Sequence, residues 1–415
     1  MEFFHILSIL IILSAGFAFI NFKYIKLPNV IGLMLVSLIF SFIILVMGQF
    51  VPAFPIWVEG MLENINFSDL LLEGMLSFML FAGAIHVRYE DLKAERLSII
   101  LFSTLSVLLS TFIIGYISYY LLNYFGFEVR LIEAMLFGSL ISPTDPIAVL
   151  SILKNAGVSK SLQTKIAGES LFNDGVAVVI FITLFKLAGS DAEPELGEIS
   201  KLFLTEAGGG ILLGLLFGYI SYKMIAAIDN YQVEVLITLA TVMGGYTIAH
   251  YLHVSGPLAM VVAGLITGNS SKNMGMSDLT AEYIDKFWEL LDEILNAILF
   301  VLIGLELLII EISSPLLMVS LILIIISLIV RYFSVWVPSL IIRMKEKLER
   351  KTLLILTWGG LRGGISIALA LSIQPEMKKE LWVTITYIIV CFSILVQGMT
   401  VGKLAAYAKT KNQVD

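Results

Sequence analysis

Apolar runs long enough to cross a bilayer recur along this chain, and that rhythm leaves little freedom in the fold. Thirteen can be drawn, near residues 3–22, 29–48, 68–87, 97–123, 131–153, 165–188, 201–224, 231–252, 255–270, 290–312, 315–342, 352–373 and 380–402. A helical span needs about 20 predominantly apolar residues, because hydrocarbon offers backbone groups no partner outside the helix itself. The sequence therefore predicts an all-α polytopic membrane protein with about 13 transmembrane helices. Composition agrees: 58% of the 415 residues are hydrophobic, 14% are charged and mean hydropathy is +0.95. A soluble chain of this length has no interior large enough for that much apolar surface. The run at 255–270 is the shortest and carries Gly256-Pro257. The first run, 3–22, lacks a basic segment before it and a small-x-small cleavage site, so it reads as a retained span. The single cysteine, Cys391, excludes an internal disulfide framework, and the net charge of −7 gives no reason to expect a nucleic-acid partner.

Charge sorting orients the spans. Of the 26 lysines and arginines, Arg331 and Arg362 fall inside spans; Arg130, Lys186, Lys201, Lys378 and Lys379 fall on one side, and the other nineteen on the opposite side. Cations gather on the cytoplasmic side, which puts the N-terminus outside, the C-terminus inside, and the protein in the cell membrane. The residues after span 13, 404–415, read as a short cytoplasmic tail of prokaryotic type. The acidic stretch Asp191–Glu198 and the basic stretch Arg343–Lys351 read as solvated connections.

Two spans are interrupted. In span 5, Ser142-Pro143-Thr144-Asp145-Pro146 brackets a carboxylate with prolines near mid-membrane. Each proline removes a backbone donor and clashes with the preceding turn, and a carboxylate at that depth costs roughly 2.5–3.5 kcal/mol on insertion scales. Span 12 carries four glycines and an arginine in Gly359-Gly360-Leu361-Arg362-Gly363-Gly364. Spans 5 and 12 lie seven apart and run in opposite directions. Spans 1–6 and 8–13 can therefore form inverted repeats of six, with span 7 between them. Paired breaks in corresponding positions point to a transporter's binding site.

Span 6 supplies the chemistry, in Gly168-Glu169-Ser170-Leu171-Phe172-Asn173-Asp174-Gly175. At 100° per residue Glu169 and Asn173 share one helix face, and Ser170 and Asp174 share another. Asp174 with Ser170 can face a cavity while Glu169 points elsewhere. Arg331, near the middle of span 11, demands an anionic partner, and Glu169 is the natural one. Arg362 can compensate the exposed carbonyl ends of a half-helix, as Asp145 can compensate exposed amide ends. Glu73 and Glu306 lie nearer span ends, where a hydrated face is expected. His86, His250 and His253 show no metal-ligand spacing and read as structural. Gly210, Gly214 and Gly218 form a close-packing seam. Thr267 and Tyr246 are polar enough for a pathway, with nothing to place them on one.

Thr144-Asp145-Pro146, Glu169 through Gly175 and Gly360-Leu361-Arg362-Gly363-Gly364 together resemble the NhaP-type branch of the monovalent cation:proton antiporters, to which the animal sodium/proton exchangers also belong. The resemblance covers essentially the whole chain. It implies a homodimer embedded in membrane lipid, with a moving core domain (about 97–188 and 315–403), an interface domain (about 1–87 and 231–312) and a linking span (about 201–224). It implies that Asp174 carries the ion and the proton, that Ser170 and the Thr144 backbone are ligands, and that Asp145 supports the site. The candidate cation-site set is then Asp174, Ser170, Thr144, Asp145 and Asn173, with Glu169, Arg331 and Arg362 as a structural charge network. The partners implied are a monovalent cation, Na+ and also Li+, and a proton, with no cofactor. The chain departs from the pattern at Phe81-Ala82-Gly83, where many relatives place an acid, so an acidic ligand from that part of span 3 is not expected.

A carboxylate in a half-dry cavity can be neutralised by a hard cation or by a proton, and competition between the two yields exchange. With Asn173 rather than a second acid beside Asp174, one proton per cation is the simplest stoichiometry, which makes transport electroneutral. A potassium/proton antiporter of the same fold is the nearest alternative. More distant are a cation channel, for which filter rings are not evident, and an intramembrane aspartyl protease, for which the break at Arg362 has no role.

Overall fold

Helix runs through the described part of each of the thirteen apolar runs in the computed structural model, which describes residues 2–48, 50, 70–189, 196–274, 276–310, 313–343 and 350–410. The first runs form α1 (Glu2–Ile20), α2 (Asn29–Gly48) and α3 (Leu76–Ile85), the last entered through a π-helical turn at Leu70–Met75. A surface helix α4 (Tyr89–Ala94) precedes span 4, which is α5 (Arg96–Ser103) and α6 (Leu105–Tyr124). Span 5 is divided into α7 (Leu131–Ile141) and α8 (Ile147–Asn155), and span 6 is α9 (Lys160–Ala188). Then come α10 (Leu196–Ile225), α11 (Tyr231–Tyr251), α12 (Gly256–Met274), α13 (Asp278–Leu305) and α14 (Ser314–Ile342). Span 12 is divided into α15 (Arg350–Trp358) and α16 (Gly364–Leu371), and span 13 is α17 (Lys379–Phe392) and α18 (Gly398–Thr410) with a π-helical turn, Ser393–Gln397, between them. Among the described residues there is no β-strand, and eight helical segments are long and apolar enough to cross a membrane.

α9 lies against α5 and α7, α6 against α7 and α14, and α17 against α14 and α16. α2 lies against α13, α3 against α12, and α10 against α11 and α12. The α10–α12 contact is the glycine seam expected from sequence: a Cβ on Gly214 would sit 2.5 Å from the Ala259 carbonyl oxygen, and one on Gly210 2.6 Å from that of Ser255. Leu212, Leu216 and Tyr219 on the outer face of α10 are exposed.

The two broken spans cross. The Asp145 amide donates to the Leu361 carbonyl oxygen at 2.8 Å, an isolated antiparallel bridge between the two unwound stretches. Glycine at 360 and 363 permits this approach. A Cβ on Gly363 would lie 2.5 Å from Asp145 Oδ2, and one on Gly360 2.7 Å from Arg331 Nε.

Glu306 is not on a hydrated face: it is 8% exposed, because the helix that carries it continues past Leu305 into a 3-10 turn that stays packed. The Glu73 side chain, Asp191–Glu195 and residues 344–349 lie outside the described residues. Tyr246 donates its hydroxyl to the Leu72 carbonyl oxygen at 3.0 Å, and Thr267 is fully buried. His250 is exposed beside Tyr251. α13 begins twelve residues before the apolar run that marked it, carrying the acids between Asp278 and Asp292 into the same helix.

Candidate ion-binding site

Breaking two helices leaves orphan amides and carbonyls at membrane depth, and each must find a partner. Asp145 answers for the start of α8: its carboxylate accepts the Ile147 amide at 2.9 Å. Arg362 answers for the end of α7, donating from Nη1 to the Ser142 and Pro143 carbonyl oxygens at 2.7 and 2.9 Å. The arginine of one broken span thus caps the carbonyl end of the other, and charge and helix dipole agree in sign at both places. The π-helical turn in span 13 completes the set. Ser393 Oγ accepts the Arg362 backbone amide at 2.8 Å, and Gln397 Nε2 donates to the Trp358 carbonyl oxygen at 3.1 Å. Insertion of one residue per turn rotates these two side chains towards the break, a recurring use of π-bulges. No periodicity marks that turn in the sequence, although Ser393 and Gln397 at i, i+4 in an apolar span are a visible cue.

The fixed charges beneath the crossing are paired as expected. Arg331 Nη2 meets Glu169 Oε1 at 2.6 Å, with the two side chains 4% and 2% exposed, and also donates to the Leu356 carbonyl oxygen at 3.3 Å. Glu169 is therefore turned towards α14 and α15.

Thr144, Ser170 and Asn173 form one hydrogen-bonded cluster. Asn173 Nδ2 donates to Thr144 Oγ1 at 2.9 Å, and the Thr144 and Ser170 hydroxyls are 3.3 Å apart. All three are at most 2% exposed. Sequence spacing alone had put Asn173 on the Glu169 face; the unwound strand at Thr144 reaches across to it.

Asp174 differs from every other ionisable group at the crossing. It is 8% exposed, borders a cavity of about 320 Å³, and has no hydrogen-bond or ion-pair partner among the described residues. Asp145 borders the same cavity, as do Ser366, His86 and Asp292. The Ser366 hydroxyl is buried with no partner among the described residues. His86 is fixed by contacts to the Ala82 and Asp285 carbonyl oxygens at 2.6 and 3.2 Å, in keeping with a structural role. Ala82 is buried, and Gly83 beside it lines the cavity. Asp292 was not singled out from sequence, because it sits among Asp285, Glu289 and Glu293 and reads as part of a solvated helix end. Its spacing from Asn296, four residues on, was the available signal.

The arrangement is a buried carboxylate facing a cavity that the Ser366 hydroxyl also borders, beside two interrupted helices whose own charges are already compensated, while Thr144, Ser170 and Asn173 bond to one another and do not line that cavity. That is the ion-site architecture of a secondary transporter. Comparison with known proteins agrees with the geometry. The model of the sodium/hydrogen exchanger transmembrane family matches residues 9–407. The chain is 45% identical over 399 residues to the Na+/H+ antiporter NhaP of Pseudomonas aeruginosa, covering 95% of this chain and 94% of that one. It is 32% identical over 407 residues to the Na+/H+ antiporter NhaH of Halobacillus dabanensis, covering 96% of each. The fold is similar to that of the sodium/proton antiporter MjNhaP1 of Methanocaldococcus jannaschii, with a TM-score of 0.76, 23% identity and coverage of 98% and 99%. The chain belongs to the sodium/hydrogen exchanger family.

Proposed function

We propose that this protein is a secondary antiporter that exchanges a monovalent cation, Na+ and also Li+, for a proton, with Asp174 as the group both compete for. The observation that carries the reading is the contrast at the crossing. Glu169 is held by Arg331, Asp145 by the Ile147 amide and Arg362 by two carbonyls, whereas Asp174 faces the cavity with no protein partner among the described residues. An ionised carboxylate in that setting is costly. A bound cation or a proton each removes the cost, and they exclude one another. Ser170 and Thr144 supply neutral oxygens for the cation, and Asp145 supports the site as the fixed cap of α8. Asn173 is engaged as a donor to Thr144, which leaves one acid to titrate per cycle and makes the exchange electroneutral, one proton per cation.

Transport then follows by alternating access. The neutralised core (about 97–188 and 315–403) moves against the interface domain (about 1–87 and 231–312), with 201–224 linking them and the interface domain pairing two copies as a homodimer. The cation-rich ends of the helices lie in the cytoplasm, with the N-terminus outside. In a cell membrane this exchange serves sodium extrusion and pH homeostasis.

The test is sodium-driven proton movement in proteoliposomes, read with a pH-sensitive dye. Asp174→Asn is isosteric and should fold, yet exchange should fall to the background of empty vesicles. Wild-type rates in that variant would end the assignment.

A further inference from the structure

A second cavity, of about 480 Å³, adjoins the one beneath the crossing, and the two share Asp292 and Ile147 in their walls. Lys26, Ser151, Glu293 and Asn296 line the second cavity. Asp292 therefore stands at the junction, with the Asp174 cavity on one side and the Lys26 end of the molecule on the other.

We propose that Asp292, Asn296 and Ser151 form a separate waiting site for a partly hydrated monovalent cation, upstream of Asp174. Asn296 is 4% exposed; its Nδ2 donates to the Asp292 carbonyl oxygen at 2.8 Å, and its Oδ1 is buried with no partner among the described residues. A buried amide oxygen without a donor is costly, and a cation or its water in the adjoining cavity removes that cost. Ser151 Oγ spends its proton on the Ala148 carbonyl oxygen at 3.1 Å and keeps its lone pairs. The donors are thus a carboxylate, an amide oxygen and a hydroxyl oxygen, a set that suits a hard cation.

The charge on the wall suits a monovalent cation. The wall carries two carboxylates, Asp292 and Glu293, and one ammonium, Lys26. One monovalent cation balances what remains. His86, on the wall of the inner cavity, is already committed to Ala82 and Asp285. Among the described residues no group of three His, Cys, Asp or Glu side chains could hold a multivalent metal. A cation travelling from water to Asp174 must shed its shell, and oxygens placed before the final site let it do so in stages.

The binding claim stands apart from the exchange reading, and the transport claim rests on it. The experiment measures equilibrium binding of radioactive Na+ to the purified full-length protein, and KM for Na+ in proteoliposomes. Asp174→Asn should retain weak saturable binding that Asp174→Asn with Asp292→Asn lacks. Asp292→Asn and Asn296→Leu should each raise KM about tenfold, the ratio given by ~1.4 kcal/mol of lost binding, with the loss in KM rather than kcat. Equal Na+ binding by Asp174→Asn and the double variant would overturn the site, and so would a KM within twofold of wild type in both Asp292→Asn and Asn296→Leu. If Asp174→Asn instead exchanged at wild-type rates, the carrier assignment would fall, while the binding comparison would still decide the waiting site.

Discussion

Neutralising Glu169 should destabilise the protein far more than it weakens cation binding. The pair it forms with Arg331 is 2.6 Å long, with both side chains at most 4% exposed, so water cannot replace the lost partner. At an effective dielectric constant of about 20 and a charge separation of about 4 Å, the attraction is about 4 kcal/mol. Removing one partner of a buried pair typically costs about 3–5 kcal/mol, because the other charge is stranded. After Glu169→Gln, Arg331 keeps the Leu356 carbonyl oxygen at 3.3 Å, a single long neutral contact. The expected loss is therefore about 3–5 kcal/mol. Arg331→Met should cost a similar amount, and the double replacement should recover at least half, since it strands no charge. Unfolding followed by tryptophan fluorescence in detergent, alongside Na+ affinity of the folded protein, makes the comparison. A Glu169→Gln variant with wild-type stability and lost Na+ binding would refute the reasoning and make Glu169 a ligand.

Gly363→Ala should reduce exchange at least tenfold while the protein still assembles, because the new Cβ would fall 2.5 Å from Asp145 Oδ2 and force the crossing apart; initial rates in proteoliposomes check this. Ser393→Ala should cost about 1–3 kcal/mol by stranding the buried Arg362 amide, which thermal unfolding would register and an unshifted midpoint would deny. For electroneutral exchange, a potassium–valinomycin potential at fixed sodium and proton gradients should leave the equilibrium in place, since one net charge would respond with about 2.3 kcal/mol per 100 mV. A shift with voltage would mean that a second acid joins Asp174 as a carrier.

Local rules made much of this legible. Apolar length located the helices, proline pairs and glycine runs located the two breaks, and mid-membrane charge forecast the Glu169–Arg331 pair. Each depends on neighbours in sequence or on a cost so high that one partner suffices. What stayed hidden depends on how helices are brought together. Arg362 caps Ser142 and Pro143, 220 and 219 residues away in the chain, and no spacing rule reaches that far. Asn173 turns to Thr144 only because span 5 is unwound just there. The π-helical turn at Ser393–Gln397 meets the break in span 12 through its side chains, a contact that its own sequence does not announce. Asp292 looks like a solvated acid until the cavity on its far side is seen.

The central claim is that one carboxylate holds either a cation or a proton. It is tested most directly by counting protons released when Na+ is added to purified protein in weakly buffered detergent, at a pH where Asp174 is protonated. The account predicts one proton released per Na+ bound at Asp174, with that release abolished in Asp174→Asn and retained in Asp292→Asn once Na+ is saturating. Saturable Na+ binding at Asp174 without proton release, or undiminished release from Asp174→Asn, would contradict it.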